Sequence, residues 1–309
     1  MKGIIPSLNT PFSKKGSLDH NSLAKLVEHT IKSGCNGMLG LAVAGEGQSL
    51  SFQEKVDFIE IVNHTNKKRI PFIVNISDLQ NEYSIKLSKI AKKNNALGVC
   101  IQIDKNKKIH ENLNLLKKIS NVGPEIIMIQ DLDWNGNGLS HNYILKLFDE
   151  IDKFRWLKIE TKNAGPKYTK IKKITQNKLN VCGGWAVTQL LDALNRDVDA
   201  FIPTGLEYIY VKIYNLYKNG NLHDARNLFY ELLPVINFSN QNIDVSIKFF
   251  KIARVKEKLF SSSYCRNIEA KFDKFQKKEA TKMLNIVKKL TRNYINKKKL
   301  LISDNKIML

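Results

Sequence analysis

One lysine interrupts the stretch "RWLKIET" (residues 155–161), whose other residues read as a buried β-strand. In an extended chain the side chains alternate, so Trp156, Lys158 and Glu160 share one side and Leu157 and Ile159 the other. An enclosed lysine loses hydration, which favours the neutral amine and lowers its pKa. A neutral amine attacks ketones. The iminium that results is an electron sink for the adjacent carbon, so carbon–carbon bonds can be made or broken beside it. The simpler alternative is a structural ion pair between Lys158 and Glu160.

The surrounding chain must position that lysine. Short apolar runs alternate with helix-period segments: "GIIPSL", "GMLGLAV", "PFIVNI", "LGVCIQI", "EIIMIQ", "RWLKIE", "NVCGG" and "DAFIPT", each followed by an amphipathic stretch such as "NSLAKLVEHTIKSG" or "EYSIKLSKIAKKN". Eight such units predict an α/β fold, a (β/α)8 TIM barrel over residues 1–218, with an open doubly wound sheet as the alternative. Residues 219–309 carry no strand signal and read as an appended C-terminal helical region packed on the barrel, including a basic helix from about Asn267 to Lys299 and a fraying end.

In a barrel, chemistry belongs at the carboxyl ends of the strands. The candidates there are Asn9 and Thr10, the "AVAGEG" loop (42–47), Asn75 to Asp78, Gln130 and Asp131, Lys158 and Glu160, Gly183 and Gly184, and Pro203 and Thr204. The glycines of "AGEG" would let backbone amides approach a carboxylate. Ser51 and Glu54 read as a capping box. Asp131 and Asp133 fit a polar turn better than a metal or acid/base pair, because no histidine lies near them.

Composition narrows the classes. The net charge of +21 comes mostly from lysine, with seven arginines among 50 basic residues and no basic patch interleaved with aromatics, so nucleic acid is not expected as a partner. No stretch reaches the roughly 18 apolar residues of a membrane span, and no signal peptide opens the chain, so a cytoplasmic protein without a membrane partner is expected. The four cysteines are far apart and lack a nearby histidine pair, which suggests buried reduced thiols rather than a metal site.

These motifs, in this order, resemble the dihydrodipicolinate synthase and N-acetylneuraminate lyase family of Schiff-base aldolases over roughly residues 3–260. The opening with its "TPF" turn, the "AVAGEGQSLS" loop in place of Gly-Thr-Thr-Gly-Glu, "NGNGLS", "LKIE", "VCGGW", "DAFIPT" and "GNLHDARNLFYELLPVI" carry the resemblance. It implies that Lys158 forms an imine with pyruvate or another 2-keto acid. It also implies that the amides around Val43, Ala44 and Gly45 bind the acid's carboxylate, that Ile129, Gly184 and Ile202 line the substrate pocket, and that Glu46 fixes its loop. A homo-oligomer, dimer or tetramer, and no cofactor or metal are implied as well.

The departures are specific. The family's two loop threonines fall on Val43 and Ala44, its strand-five tyrosine on Ile129, and the arginine that holds the second substrate's carboxylate in dihydrodipicolinate synthases on Trp134. Its paired tyrosines fall within "DKNKK". A proton relay is worth about 10²- to 10⁴-fold, so Glu160, Gln130, Asp131 or an ordered water must replace the tyrosine. Otherwise the protein is an impaired relative that binds a small acid. Lysine biosynthesis is the alternative activity within the enzyme class.

Overall fold

The computed structural model describes residues 1–184, 187–266, 269 and 271–304. Each apolar run forms a parallel strand: β1 (Gly3–Ile4), β2 (Met38–Gly40), β3 (Phe72–Asn75), β4 (Gly98–Gln102), β5 (Ile126–Asp133), β6 (Phe154–Thr161), β7 (Asn180–Gly183) and β8 (Ala200–Phe201). They follow one another in a single sheet in which β1 pairs with β8. Just past β1 the chain also meets β2: the Leu8 N–H donates to the Leu39 carbonyl at 2.8 Å and the Leu39 N–H to the Pro6 carbonyl at 2.9 Å. The sheet therefore closes on itself. An open doubly wound sheet would leave both of those edges unpaired.

Strand alternation sorts the side chains into two layers. Leu39, Ile73, Cys100, Met128, Trp156 and Cys182 pack together inside the barrel. Val74, Val99, Ile129, Leu157 and Ile159 join the larger core between sheet and helices. β5 and β6 are in register with Met128 opposite Trp156 and Gln130 opposite Lys158. Lys158 thus points into the barrel, one layer above Trp156, as the alternation in "RWLKIET" requires. Cys35, Cys100 and Cys182 are buried free thiols, while Cys265 is partly exposed.

The helix Phe52–Asn66 begins at the expected capping box, with Ser51 Oγ accepting from the Glu54 N–H and the Glu54 carboxylate accepting from the Ser51 N–H. Past the barrel come the helices Leu222–Ser239, Ile243–Lys256 and Lys274–Asp304. Leu228, Phe249 and Phe250 belong to the same continuous core as Ile129 and Leu157. The last helix starts later than its sequence suggests and runs on to Asp304, past the expected end at Lys299. Asn267, Ile268 and Ala270, at its expected start, and residues 305–309 lie outside the described residues.

A buried ion pair fastens Ile243–Lys256 to the barrel. Arg254 is 1% exposed and donates to Glu207 Oε2 at 3.0 Å and to Asn9 Oδ1 at 3.3 Å; His29 lies 3.4 Å from the same carboxylate. Burial opposes ionisation of Glu207, but the Arg254 guanidinium and His29 outweigh it and hold the carboxyl well below its usual range. Replacing Arg254 with Met would leave Glu207 buried without its main counter-charge, at a cost of about 3–5 kcal/mol. Urea unfolding is expected to show that loss for Arg254→Met and to recover most of it in the double variant Arg254→Met/Glu207→Met.

Candidate active site

At the carboxyl end of the barrel a small cavity has Lys158, Glu160 and Gln130 in its wall. Lys158 Nζ lies 3.1 Å from Glu160 Oε2, and Gln130 Nε2 donates to that same oxygen. Both charged side chains are nearly sealed from solvent, at 5% exposure for Lys158 and 9% for Glu160. Gln130 and Glu160 come from neighbouring strands, and both continue the inward-facing alternation that places Met128 and Trp156 below them.

The charge state of Lys158 differs from the expectation drawn from burial alone. Desolvation does push its pKa down, but the Glu160 carboxylate, helped by Cys100 and Cys182, outweighs it and holds the ammonium above the ordinary lysine range. Because the folded value exceeds the free-lysine value of 10.5, the pair stabilises the fold in full below that pH and loses its contribution as pH rises through the elevated value. At neutral pH the resting lysine is therefore an ammonium. It must hand a proton to a neighbour before it can act as a nucleophile, and Glu160 is in contact to take it.

Gly184 and Ile202 part company. Ile202 lines the cavity and packs in the barrel interior. Gly184 stands behind Glu160 instead: a Cβ there would come within 2.1 Å of Glu160 Oε1, so glycine is what lets the carboxylate occupy its place. It supports the charged pair and is not part of the cavity wall with Lys158.

The loop after β2 also divides. Val43 and Ala44 line the cavity at the start of a short 3-10 turn, Val43–Gly45, and their amides have no partner within it. Gly45 does not offer its amide, which donates to the Ala42 carbonyl at 3.0 Å. Its lack of a side chain serves the Leu8 carbonyl, which a Cβ would approach to 2.5 Å. The Thr10 hydroxyl donates to the Gly45 carbonyl, and Asn75 Nδ2 donates to the Leu41 carbonyl at 2.9 Å. Glu46 fixes this loop from the far side: it pairs with the buried Lys251 and accepts from the Arg266 N–H at 2.8 Å.

Two further expectations are corrected. Ile129 is fully buried among the helix-facing residues and pairs in register with Leu157, so it cannot line the cavity; the inward position beside Lys158 belongs to Gln130. Asp131, one step along β5, faces the same outer layer as Ile129. Lys167 and the Leu139 N–H hold it there, so it does not approach Lys158. Asp133 pairs with Lys105 at 2.6 Å and Asp78 with Lys55 at 2.8 Å.

The cavity's remaining wall comes from residues that were not expected to line it, apart from Trp134. Asn240, Asn242, Ile243 and Ser246 reach it from the C-terminal helices, Ser7 from the end of β1, and Trp134 from the loop after β5. Ser7 could have been found by extending the inward alternation from Ile5. The C-terminal residues have no such local signal. Trp185, quoted in the "VCGGW" motif, lies outside the described residues.

The chain is a closed (β/α)8 barrel with a buried lysine near the carboxyl end of β6 and a cavity above it. The chain belongs to the dihydrodipicolinate synthetase family, whose model matches residues 1–287. A 4-hydroxy-tetrahydrodipicolinate synthase from Karelsulcia muelleri is 28% identical over 248 residues, 77% of this chain and 82% of that protein. In three dimensions the chain is similar to a dihydrodipicolinate synthase from Rhodopseudomonas palustris, with a TM-score of 0.85, 21% identity and coverage of 93% and 97% of the two chains. An N-acetylneuraminate lyase from Mycoplasma synoviae superposes with a TM-score of 0.79, 17% identity and coverage of 92% and 97%. Among the described residues no helix is long and apolar enough to cross a membrane.

If Glu160 sets the charge of Lys158, removing it takes away the main group that opposes burial. In Glu160→Gln the pH midpoint for labelling Lys158 with an amine-reactive reagent, followed by peptide mass spectrometry, is expected to fall. An unchanged midpoint would assign the elevated pKa to other groups.

Proposed function

We propose that the protein is a lyase or aldolase that forms an iminium between Lys158 and pyruvate or another 2-keto acid, and then makes or breaks a carbon–carbon bond beside it. The observation that carries this reading is the placement of Lys158, buried in the cavity wall and in direct contact with Glu160. Glu160 takes a proton from the ammonium, and the neutral amine adds to the C2 carbonyl. The alkoxide so formed takes a proton from the added nitrogen, giving a carbinolamine, and the proton held by Glu160 then goes to its hydroxyl, which leaves as water as the iminium forms. Gln130, opposite Lys158, keeps Glu160 oriented and has no proton to exchange in this pH range. The amides of Val43 and Ala44 hold the substrate carboxylate, replacing the hydroxyls that the family places there.

The family and its lyases and synthases support this class. Relatives named 4-hydroxy-tetrahydrodipicolinate synthase favour a second reading, condensation of pyruvate with aspartate semialdehyde. Against it stands Trp134, which occupies the wall where a carboxylate-binding arginine is expected. A catalytically impaired relative that binds a small acid is favoured by the paired, protonated resting state of Lys158. A cytoplasmic homo-oligomer completes the proposal, as the resemblance to the family implies.

Borohydride reduction in the presence of pyruvate and a panel of 2-keto acids is expected to leave a stable adduct on the peptide carrying Lys158 and none in Lys158→Ala. Glu160→Gln is expected to slow adduct formation by about 10²-fold or more at neutral pH. No adduct with any acid would leave the binding-only reading.

A further inference from the structure

Trp134 reaches the cavity from the loop that joins β5 to the helix His141–Glu150, and a lysine from the next strand–helix unit fastens that loop from behind. Lys167, on the helix Ala164–Ile174, is nearly sealed from solvent. Its ammonium donates to Asp131 Oδ2 at 2.5 Å, to the Asn137 carbonyl at 2.6 Å and to the Leu139 carbonyl at 2.7 Å. An ammonium has three protons to donate, and all three are engaged here. Two of them go to the backbone of the loop.

Other bonds hold the loop to the same frame. Asp131 Oδ1 accepts from the Leu139 N–H at 2.8 Å, Asp133 Oδ2 from the Gly138 N–H at 3.1 Å, and the Gly136 carbonyl from the Lys162 N–H at 3.0 Å. Gly138 has a φ of +66°, and a Cβ there would come within 2.1 Å of Asp131 Oδ1, so both the backbone and the carboxylate require glycine. Ion pairing alone does not account for Lys167, because burial pushes the Asp131 carboxyl above its ordinary range in spite of the lysine. The lysine's further effect is to give two loop carbonyls a partner from outside the loop.

We infer that Lys167 is a positioning residue: it holds the loop after β5, and with it Trp134, as a preformed wall against which the outer part of a ligand anchored at Lys158 packs. β5 runs three residues past Gln130, the residue opposite Lys158, before the loop begins, so Trp134 stands toward the mouth. Its exposure of 39%, against 5% for Lys158, agrees. The indole offers a broad apolar face, so Lys167 sets the affinity for chains longer than pyruvate and leaves imine formation unchanged. This rests on the proposed iminium for where the ligand is anchored. The fixing of Trp134 stands on the bonds to its loop.

Two readouts on Lys167→Met test it. With 5-fluorotryptophan incorporated, the fluorine resonance of Trp134, assigned through Trp134→Phe, is expected to shift or broaden while that of Trp156 inside the barrel stays in place. In borohydride trapping, the half-saturating concentration of 2-oxohexanoate is expected to rise about three- to tenfold, with that of pyruvate and both maximal rates unchanged. Asp131→Asn/Lys167→Met leaves no unpaired buried charge and still lacks the bonds to the loop carbonyls, so it is expected to behave as Lys167→Met does. Recovery of the intact behaviour in the double variant would assign the effect to the unpaired carboxylate and overturn the inference. An unmoved Trp134 resonance, or equal weakening of the two acids, would overturn it as well while leaving the iminium reading intact. No adduct with either acid in the intact protein would refute the iminium reading and, with it, the role of Lys167 toward a ligand, even where the Trp134 resonance moves.

Discussion

Lys158 can be sealed inside a closed barrel only because a carboxylate is sealed in beside it. Bare burial would neutralise the amine, yet the Glu160 contact outweighs desolvation and keeps the ammonium. Much of the local structure serves that pair. Gln130 occupies the next inward position and donates to Glu160, and Gly184 leaves the space that the carboxylate fills. The two groups are in direct contact, 3.1 Å apart, so the ammonium has a carboxylate beside it in the resting state.

The same logic recurs where the C-terminal helices meet the barrel. Arg254 and Lys251 lie on one helix, Ile243–Lys256, and each neutralises a buried carboxylate of the barrel, Glu207 in the first case and Glu46 in the second. Lys251 also sits 4.2 Å from the centroid of the Phe12 ring, which shields its charge from water. Fixing this helix fixes Asn242, Ile243 and Ser246 at the cavity, so the appended region completes the site as well as covering the core. Glu46 is coupled to both functions, because it belongs to the loop that presents Val43 and Ala44.

The polar part of the cavity wall comes from several places in the chain: an amide on β5, a serine at the end of β1, and asparagines from the C-terminal helices.

The eight-unit rhythm and the inward direction of Lys158 and Glu160 were legible in the sequence, because each follows from a local rule, whereas the loop-fixing role of Glu46 came from the resemblance to the family. A pleated strand alternates its side chains with a period of two, and short apolar runs followed by amphipathic helices build a parallel sheet. Gln130 was visible as the polar residue of an otherwise apolar strand, but matching it by motif put Ile129 in its place, an error of one residue that reverses the face. Asp131 was misjudged because its partner, Lys167, lies on the next helix but one, outside the reach of pattern. The sequence by itself determined the barrel and the identity of the buried lysine. Only the tertiary structure decided its charge and the walls of its cavity, since both depend on distances between residues that come together when the barrel closes and the last helices fold over it.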